Sequence, residues 1–197
     1  MSCNKDITAG FSIDCTSVPV KGLVQSVTIM NRADIDRGAT TFNADGVTIE
    51  GLTLKSGAKR AYLMDGVKNL LNASASFVSK DDTFDAWNHT LSGYIADLNP
   101  ANLVELQAYT NGAEICAIVR TKYEGADGTG STAFKVLGYE VGMVMTESVF
   151  DANENGGLPF TLANKEGYEN NQFPYAFFIT DLATTEAAVL ALQTPTV

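Results

Sequence analysis

The sequence has few of the residues on which catalytic and metal sites depend. Its 197 residues include one histidine and three cysteines. One histidine excludes a histidine-rich metal site, and the Gly-x-Ser-x-Gly nucleophile motif is absent. Cys3, Cys15 and Cys116 are odd in number and lack Cys-x-x-Cys spacing, so they fit neither a disulfide framework nor a zinc site. We therefore expect no enzyme, no metal and no cofactor.

Positive charge and long apolar runs are also scarce. Thirteen Lys and Arg stand against 23 Asp and Glu, giving a net charge of −10, and the basic residues are scattered without a basic patch. Clustered Lys and Arg supply most nucleic-acid affinity, so a nucleic-acid-binding protein is excluded. No apolar run approaches the ~20 residues of a membrane helix. The first residues resemble no signal peptide, so we expect a chain made in the cytoplasm.

Apolar residues, in contrast, are sufficient for a full core, at 45% of the chain. We expect one domain over residues 20–197, preceded by an N-terminal arm or first strand over residues 1–20. Alternation of apolar and polar residues predicts strands over Gly22–Met30, Phe84–Ile95 and Glu114–Tyr123. Gly51 lies where the alternation changes phase, which predicts a β-bulge.

A β-hairpin and two helices complete the predicted elements. The segment Ala133–Thr146, with a phase change near Gly138, is the expected partner of the strand ending at Tyr123, and the glycine-rich segment between them predicts an exposed turn. Asn99, Pro100 and Asn111-Gly112 predict the start and end of a short helix. A C-terminal helix over Thr184–Gln193 competes with an extended arm. The fold class is mainly β (α+β), an antiparallel sandwich or barrel-like domain with a flanking helix.

Three motifs that suggest chemistry have simpler interpretations. His89 lies in mid-strand, where we expect a hydrogen-bonded structural histidine. The stretch Gly125–Gly130 lacks Gly-Lys-Ser/Thr and fits a hairpin turn better than a phosphate loop. Asp151–Gly156 matches the first half of an EF-hand loop, but Leu162 stands where a bidentate glutamate is needed. Whether this loop binds a cation stays open.

The order of the elements resembles the major tail tube proteins of tailed bacteriophages. An aromatic strand, Thr83-Phe-Asp-Ala-Trp-Asn-His89-Thr-Leu91, precedes the short helix. After the hairpin turn comes Ala133-Phe-Lys-Val-Leu-Gly138-Tyr-Glu-Val-Gly142-Met. The family shows a similar His-x-Leu strand before a short helix, and a similar Phe-x-Val-x-Gly-x-x-x-Gly strand after a hairpin. The resemblance covers residues 20 to 180.

The resemblance implies a structural virion protein of the phage tail, and no enzyme. Tail tube proteins form hexameric rings that stack into a tube, and strands of six subunits join around a lumen that conducts DNA without binding it specifically. Further implied partners are tape-measure, tail-terminator and baseplate or hub proteins. We expect Asp45 and Glu50 to face the lumen. The turn containing Gly125, Asp127, Gly128 and Gly130 is expected to contact the next ring.

Two other classes remain open from the sequence. A monomeric β-sandwich binding module would need an exposed aromatic platform, for which Trp87, Tyr94 and Tyr109 are the candidates. Another phage structural protein, such as a head-completion, tail-terminator or capsid decoration protein, fits an acidic β-rich chain equally well.

Overall fold

Two β-sheets and two helices make up the part of the chain that the computed structural model describes, residues 20–57, 59–66, 70–81, 85–125, 128–150 and 157–194. The strands are β1 (Leu23–Asn31), β2 (Thr41–Phe42), β3 (Thr48–Gly51), β4 (Tyr62–Asp65), β5 (Asn72–Val78), β6 (Ala86–Ile95), β7 (Ile115–Thr121), β8 (Phe134–Leu137), β9 (Val144–Ser148), β10 (Leu158–Ala163) and β11 (Tyr175–Phe177). The helices are α1 (Pro100–Thr110) and α2 (Leu182–Ala191), with a short 3-10 turn at Arg32–Asp34.

The larger sheet has seven strands in the order β2-β3-β11-β8-β7-β1-β4. Its pairs are antiparallel except β3 and β11, which run parallel with Ala176 opposite Thr48. The expectation of antiparallel strands throughout is wrong at this pair. The chain enters β11 from the second sheet rather than through a hairpin, so nothing local imposes an antiparallel direction.

The smaller sheet has four strands in the order β5-β6-β10-β9, and every pair in it is antiparallel. It covers one face of the seven-stranded sheet through an apolar core. Helix α2 and the residues Ile35, Leu52 and Leu54 cover the opposite face with a second core. Strand β7 lies between the two cores, and its first five residues, Ile115–Val119, are all buried.

Most predicted strands are confirmed, and one is divided. Strands β1, β6 and β7 match the predictions within a few residues, and the pairing of β2 with β3 is irregular next to Gly51, as the predicted bulge requires. The predicted strand Ala133–Thr146 is instead two strands in different sheets. Gly138 lies between them with φ of +70°, and a Cβ there would come within 2.7 Å of the Ile115 carbonyl oxygen. The phase change therefore marks a passage between sheets.

Both helices begin and end close to where the sequence predicts. The side chain of Asn99 accepts a hydrogen bond from the Asn102 amide at 3.0 Å, which caps α1. On α1, Leu103 is 47% exposed, Leu106 is half-buried, and Tyr109 packs against the core between the sheets. The C-terminal segment forms the predicted helix rather than an extended arm, and Asp181 is its N-cap.

The structure therefore has a mainly β, α+β fold in which neither sheet closes into a barrel. The expected N-terminal arm or first strand lies outside the described residues, apart from Val20. Within the described ranges, neither helix is both long and apolar enough to cross a membrane.

Candidate functional site

His89 lies on β6, between the two sheets, and uses both ring nitrogens within the fold. Its Nδ1 accepts a hydrogen bond from the Gly138 amide at 3.0 Å, and its Nε2 lies 3.0 Å from the Gln172 carbonyl oxygen. This pattern requires the proton on Nε2. Burial lowers the pKa of His89 to about 4, so the ring is neutral at pH 7. The expectation that His89 is hydrogen-bonded in mid-strand is confirmed.

Two buried asparagines, Asn164 and Asn170, extend this polar network, and no motif in the sequence points to either. Asn164 accepts from the His89 amide at 2.7 Å and from the Asn170 side chain at 2.7 Å, and it donates to the Gly142 carbonyl at 2.6 Å. Asn170 also exchanges backbone hydrogen bonds with Trp87 at 2.7 and 2.9 Å. Asn164 and Asn170 are 75 and 81 residues from His89, so no local pattern joins them. The network ties the end of β10 to β6.

The segment from Gly138 to Met143, which we call the crossing segment, joins β8 to β9 and is held from both sides. The His89 network binds it from the side of the four-stranded sheet. On the other side, Arg32 and Arg37 donate to the Glu140 carbonyl oxygen at 2.8 and 2.7 Å. The hydroxyl of Tyr175 donates to the Glu140 carboxylate at 2.8 Å. These buried and half-buried polar groups therefore position the backbone of the crossing segment.

Asp45 and Glu50, the expected lumen residues, lie together on the β2–β3 hairpin at one edge of the seven-stranded sheet. Asp45 accepts from the Val47 and Thr48 amides, each at 2.9 Å, and from the Thr48 hydroxyl at 2.7 Å. The Thr48 side chain and these amides lower the pKa of the exposed Asp45 carboxyl. Asp45 therefore shapes a turn. Glu50 is exposed on β3, where its charge is available to a partner.

The expected ring-stacking turn joins β7 to β8, and the structure describes all of its proposed residues except Asp127, which lies outside the described residues. Gly128 points into open space, and Gly125 accepts its amide at 3.3 Å. Gly130 is buried with φ of +86°, and a Cβ there would come within 2.8 Å of Leu182 on α2. Gly130 therefore packs within the fold, whereas Gly128 is exposed.

The candidate aromatic platform is not a single surface. Trp87 is half-buried and makes edge-to-face contacts with Phe77 and Phe173, with ring centroids 5.5 and 5.0 Å apart. Tyr94 lies on the opposite face of β6, since residues seven apart in a strand point to opposite sides. Tyr109 stacks on Phe160 at 6.3 Å beneath α1. The three rings therefore do not share one face.

The described residues contain no cluster of three His, Cys, Asp or Glu side chains placed to hold a metal ion. The loop Asp151–Gly156, which resembles half of an EF-hand, lies outside the described residues. Cys116 is a buried free thiol, and burial raises its pKa to about 12, so it is not a reactive thiolate.

The most unusual surface is the open margin of the four-stranded sheet. Its edge strands are β5 and β9, and no described strand pairs with their outer sides. Strand β5 is seven residues long, Asn-Ala-Ser-Ala-Ser-Phe-Val, and carries no charge and no proline. Monomeric proteins protect such edges with lysine, proline or bulges, because unpaired amides and carbonyls recruit other strands. Phe77 on this edge is 55% exposed.

The outer face of the same sheet is polar but almost uncharged. Cross-strand partners place these small side chains on it: Asn72, Ser74, Ser76, Asn88, Thr90, Ser92 and Thr161. The hydroxyls of Ser92 and Thr161 lie 3.4 Å apart. At neutral pH the four strands carry one charged side chain, Glu147 on β9. Such a face offers hydrogen bonds but little electrostatic attraction.

No protein-family model matches this chain, and neither a curated protein nor a solved structure is significantly similar to it.

Proposed function

We propose that this chain is a structural subunit that joins to copies of itself through the edges of its four-stranded sheet, as the major tail tube subunit of a phage. The copies would form rings, hexameric as in the family that the sequence resembles, which stack into a tube in the virion tail. The observation that carries this proposal is the long, uncharged edge strand β5, whose outer side pairs with no described strand. An edge of this kind is an aggregation hazard in a monomer and a joint in an assembly.

The strand directions support a head-to-tail joint. The four strands alternate in direction, so β5 and β9 run opposite to each other. When identical copies stand side by side, β9 of one copy therefore meets β5 of the next in antiparallel orientation. The ladder continues from copy to copy without a reversal. A heterologous contact of this type gives a ring when the rotation closes.

The difference in width between the layers supports closure and suggests which face is inside. At about 4.8 Å per strand, the four-stranded layer is about 15 Å wide and the seven-stranded layer about 30 Å. A subunit that is narrower on one side is a wedge, and in a ring of wedges the narrow layer faces the axis. The lumen would then be lined by the Ser, Thr and Asn face. DNA, as a polyanion, would pass such a face without the counterion release that binding requires.

This arrangement gives the sequence-based site residues different roles. Asp45 and Glu50 would lie on the wider, outer layer rather than on the lumen. Gly125 and Gly128, at the end of the β7–β8 hairpin, would lie at one end of the ring, where a stacked ring makes contact. Tape-measure, tail-terminator and baseplate or hub proteins are proposed as further partners on the resemblance alone.

The proposal is tested by sedimentation and negative-stain microscopy of the purified protein, in which we expect rings or tubes. A pair of variants, Ser74→Pro and Ala75→Pro, isolates the β5 edge. Adjacent residues point their amides to opposite sides of a strand, so one proline removes a hydrogen bond to β6 and the other removes an outward amide. We expect the outward variant to keep wild-type stability and lose assembly.

Two results would overturn the proposal. One is a wild type that stays monomeric at every concentration and salt, which favours a binding module. The other is a stable proline variant on the outward side of β5 that still forms normal tubes.

A further inference from the structure

A cavity of about 690 Å³ lies between the two sheets, at the end of the sandwich where β1 and β5 begin. Leu23, Leu71 and Ala73 form an apolar wall, since all three pack in the core between the sheets. No Asp or Glu is among the described residues that line the cavity, although the chain has 23 acidic residues against 13 basic ones. The lining therefore reverses the charge of the molecule as a whole.

Three lysines supply the charge of this lining: Lys21, Lys122 and Lys135. Lys135 and Val119 are cross-strand partners, and Val119 belongs to the core between the sheets, so the half-buried Lys135 side chain enters the same space. Lys21 and Lys122 are exposed and therefore lie towards the mouth of the cavity. The Lys122 Nζ lies 3.9 Å from the position of a Cβ added to Gly22, which also lines the cavity. One half-buried ammonium group and two exposed ones thus border the cavity.

Polar groups of this lining lack partners within the described residues. None of the three lysines forms an ion pair with them. Burial lowers the pKa of Lys135, because its ammonium group loses hydration without gaining an ion pair. Thr132, in the same lining, has a buried hydroxyl oxygen with no hydrogen-bond partner among the described residues, whereas buried polar groups are normally hydrogen-bonded. An anion in the cavity would compensate the ammonium charge and give the hydroxyl an acceptor.

We propose that this cavity binds a small phosphate monoester that carries an aromatic or other apolar body. A phosphate monoester has a charge of about −2 at pH 7 and three acceptor oxygens, which suits three ammonium groups better than the single charge of a carboxylate. Its apolar body lies against Leu23, Leu71 and Ala73. The volume of the cavity is within the roughly 300–1,000 Å³ typical of small-molecule sites. This site does not depend on the proposed assembly.

Calorimetric titration of the full chain with phenyl phosphate tests this inference. Inorganic phosphate lacks the apolar body and phenol lacks the charge, so we expect phenyl phosphate to bind about tenfold more tightly than either. Lys135→Met removes the half-buried charge, keeps a side chain of similar length and should weaken binding about tenfold, with folding checked by thermal unfolding. Lys122→Met, at the exposed mouth, should also weaken binding and leaves the interior unchanged. Lys165→Met makes the same charge change at an exposed site outside the lining and should bind as wild type.

Several results would overturn this inference. One is a wild type that does not bind phenyl phosphate, or that binds it no more tightly than the two lysine variants of the lining do. Another is inorganic phosphate that binds as tightly as phenyl phosphate, since the apolar wall would then contribute nothing. Neither a single-stranded DNA oligonucleotide nor vesicles that contain phosphatidic acid should displace phenyl phosphate, because both are too large to enter a cavity between the sheets. Displacement by either would make the lysines a contact for that larger surface. Binding is measured separately from assembly, so its failure leaves the proposed tube untouched.

Discussion

Strands β7 and β5 show how differently the two sheets are used. In β7 five consecutive residues, Ile115–Val119, are buried, because an apolar core covers each face of the seven-stranded sheet. In β5 no residue is fully buried, and one side of the strand has no described partner. The larger sheet, covered on both faces, therefore contributes most of the stability of the fold. Among the described residues, no strand pairs with the two outer edges of the smaller sheet, and no element covers its outer face.

The largest effect should come from the doubly covered strand. Ile118→Ala removes a side chain that is 2% exposed and leaves a cavity, so it should lower the free energy of unfolding by about 2–5 kcal/mol. Ser76→Ala, on exposed β5, should change it by less than about 0.5 kcal/mol. Urea unfolding followed by circular dichroism measures both. Equal effects would break the comparison.

The next effect is a loss of stability in acid, which we expect to depend on His89 between the two sheets. Because its pKa in the folded protein is about 4, below the unfolded value of 6.5, its contribution is complete above pH 6.5 and decreases as the pH falls towards 4. The loss in the free energy of unfolding should reach about 3 kcal/mol. Most carboxyl groups titrate below pH 5, so unfolding free energies measured from pH 6.5 to about 5, compared with those of His89→Gln, isolate this contribution. His89→Gln should flatten this profile, and an unchanged slope would contradict the assignment.

A smaller loss is expected from the asparagine that joins β10 to the crossing segment. Asn164→Ala leaves the His89 amide and the Gly142 carbonyl without their buried partner, and it should cost about 2 kcal/mol. Asn72→Ala on the exposed edge is the matched control and should be nearly neutral in stability. Thermal unfolding compares the two. A neutral Asn164→Ala would show that the network does not hold the sheets together.

The last prediction concerns two cysteine variants that should change stability least. It tests which of the two sheets lines the lumen of the proposed tube. In a background with Cys3 and Cys15 replaced by serine, Ser92→Cys and Glu50→Cys place thiols on the four-stranded face and on β3. In assembled tubes, Ser92→Cys should react with a small maleimide but not with a polymer-linked one, whereas Glu50→Cys should react with both. The reverse pattern would support the sequence-based assignment of Glu50 and Asp45 to the lumen.

The sequence predicts well those elements whose limits depend on residues close together in the chain. Asn99, Pro100 and Gly112 define α1 because caps and stops act within a few residues. It fails where partners are distant in the chain. The alternation in Ala133–Thr146 reports a change of face, but one bulged strand and a passage between sheets give the same pattern. The partners of His89 depend on tertiary contacts, so no spacing rule reveals them.

The connections of the four-stranded sheet have a mechanical consequence. It consists of two hairpins, β5–β6 and β9–β10. The chain connects each hairpin to the seven-stranded sheet at both of its ends. In a cylinder built as proposed, a force on the inner, four-stranded sheet would be transmitted through four covalent connections to the outer, seven-stranded sheet. The four-stranded sheet could then not be pulled away from the cylinder without unfolding the seven-stranded sheet.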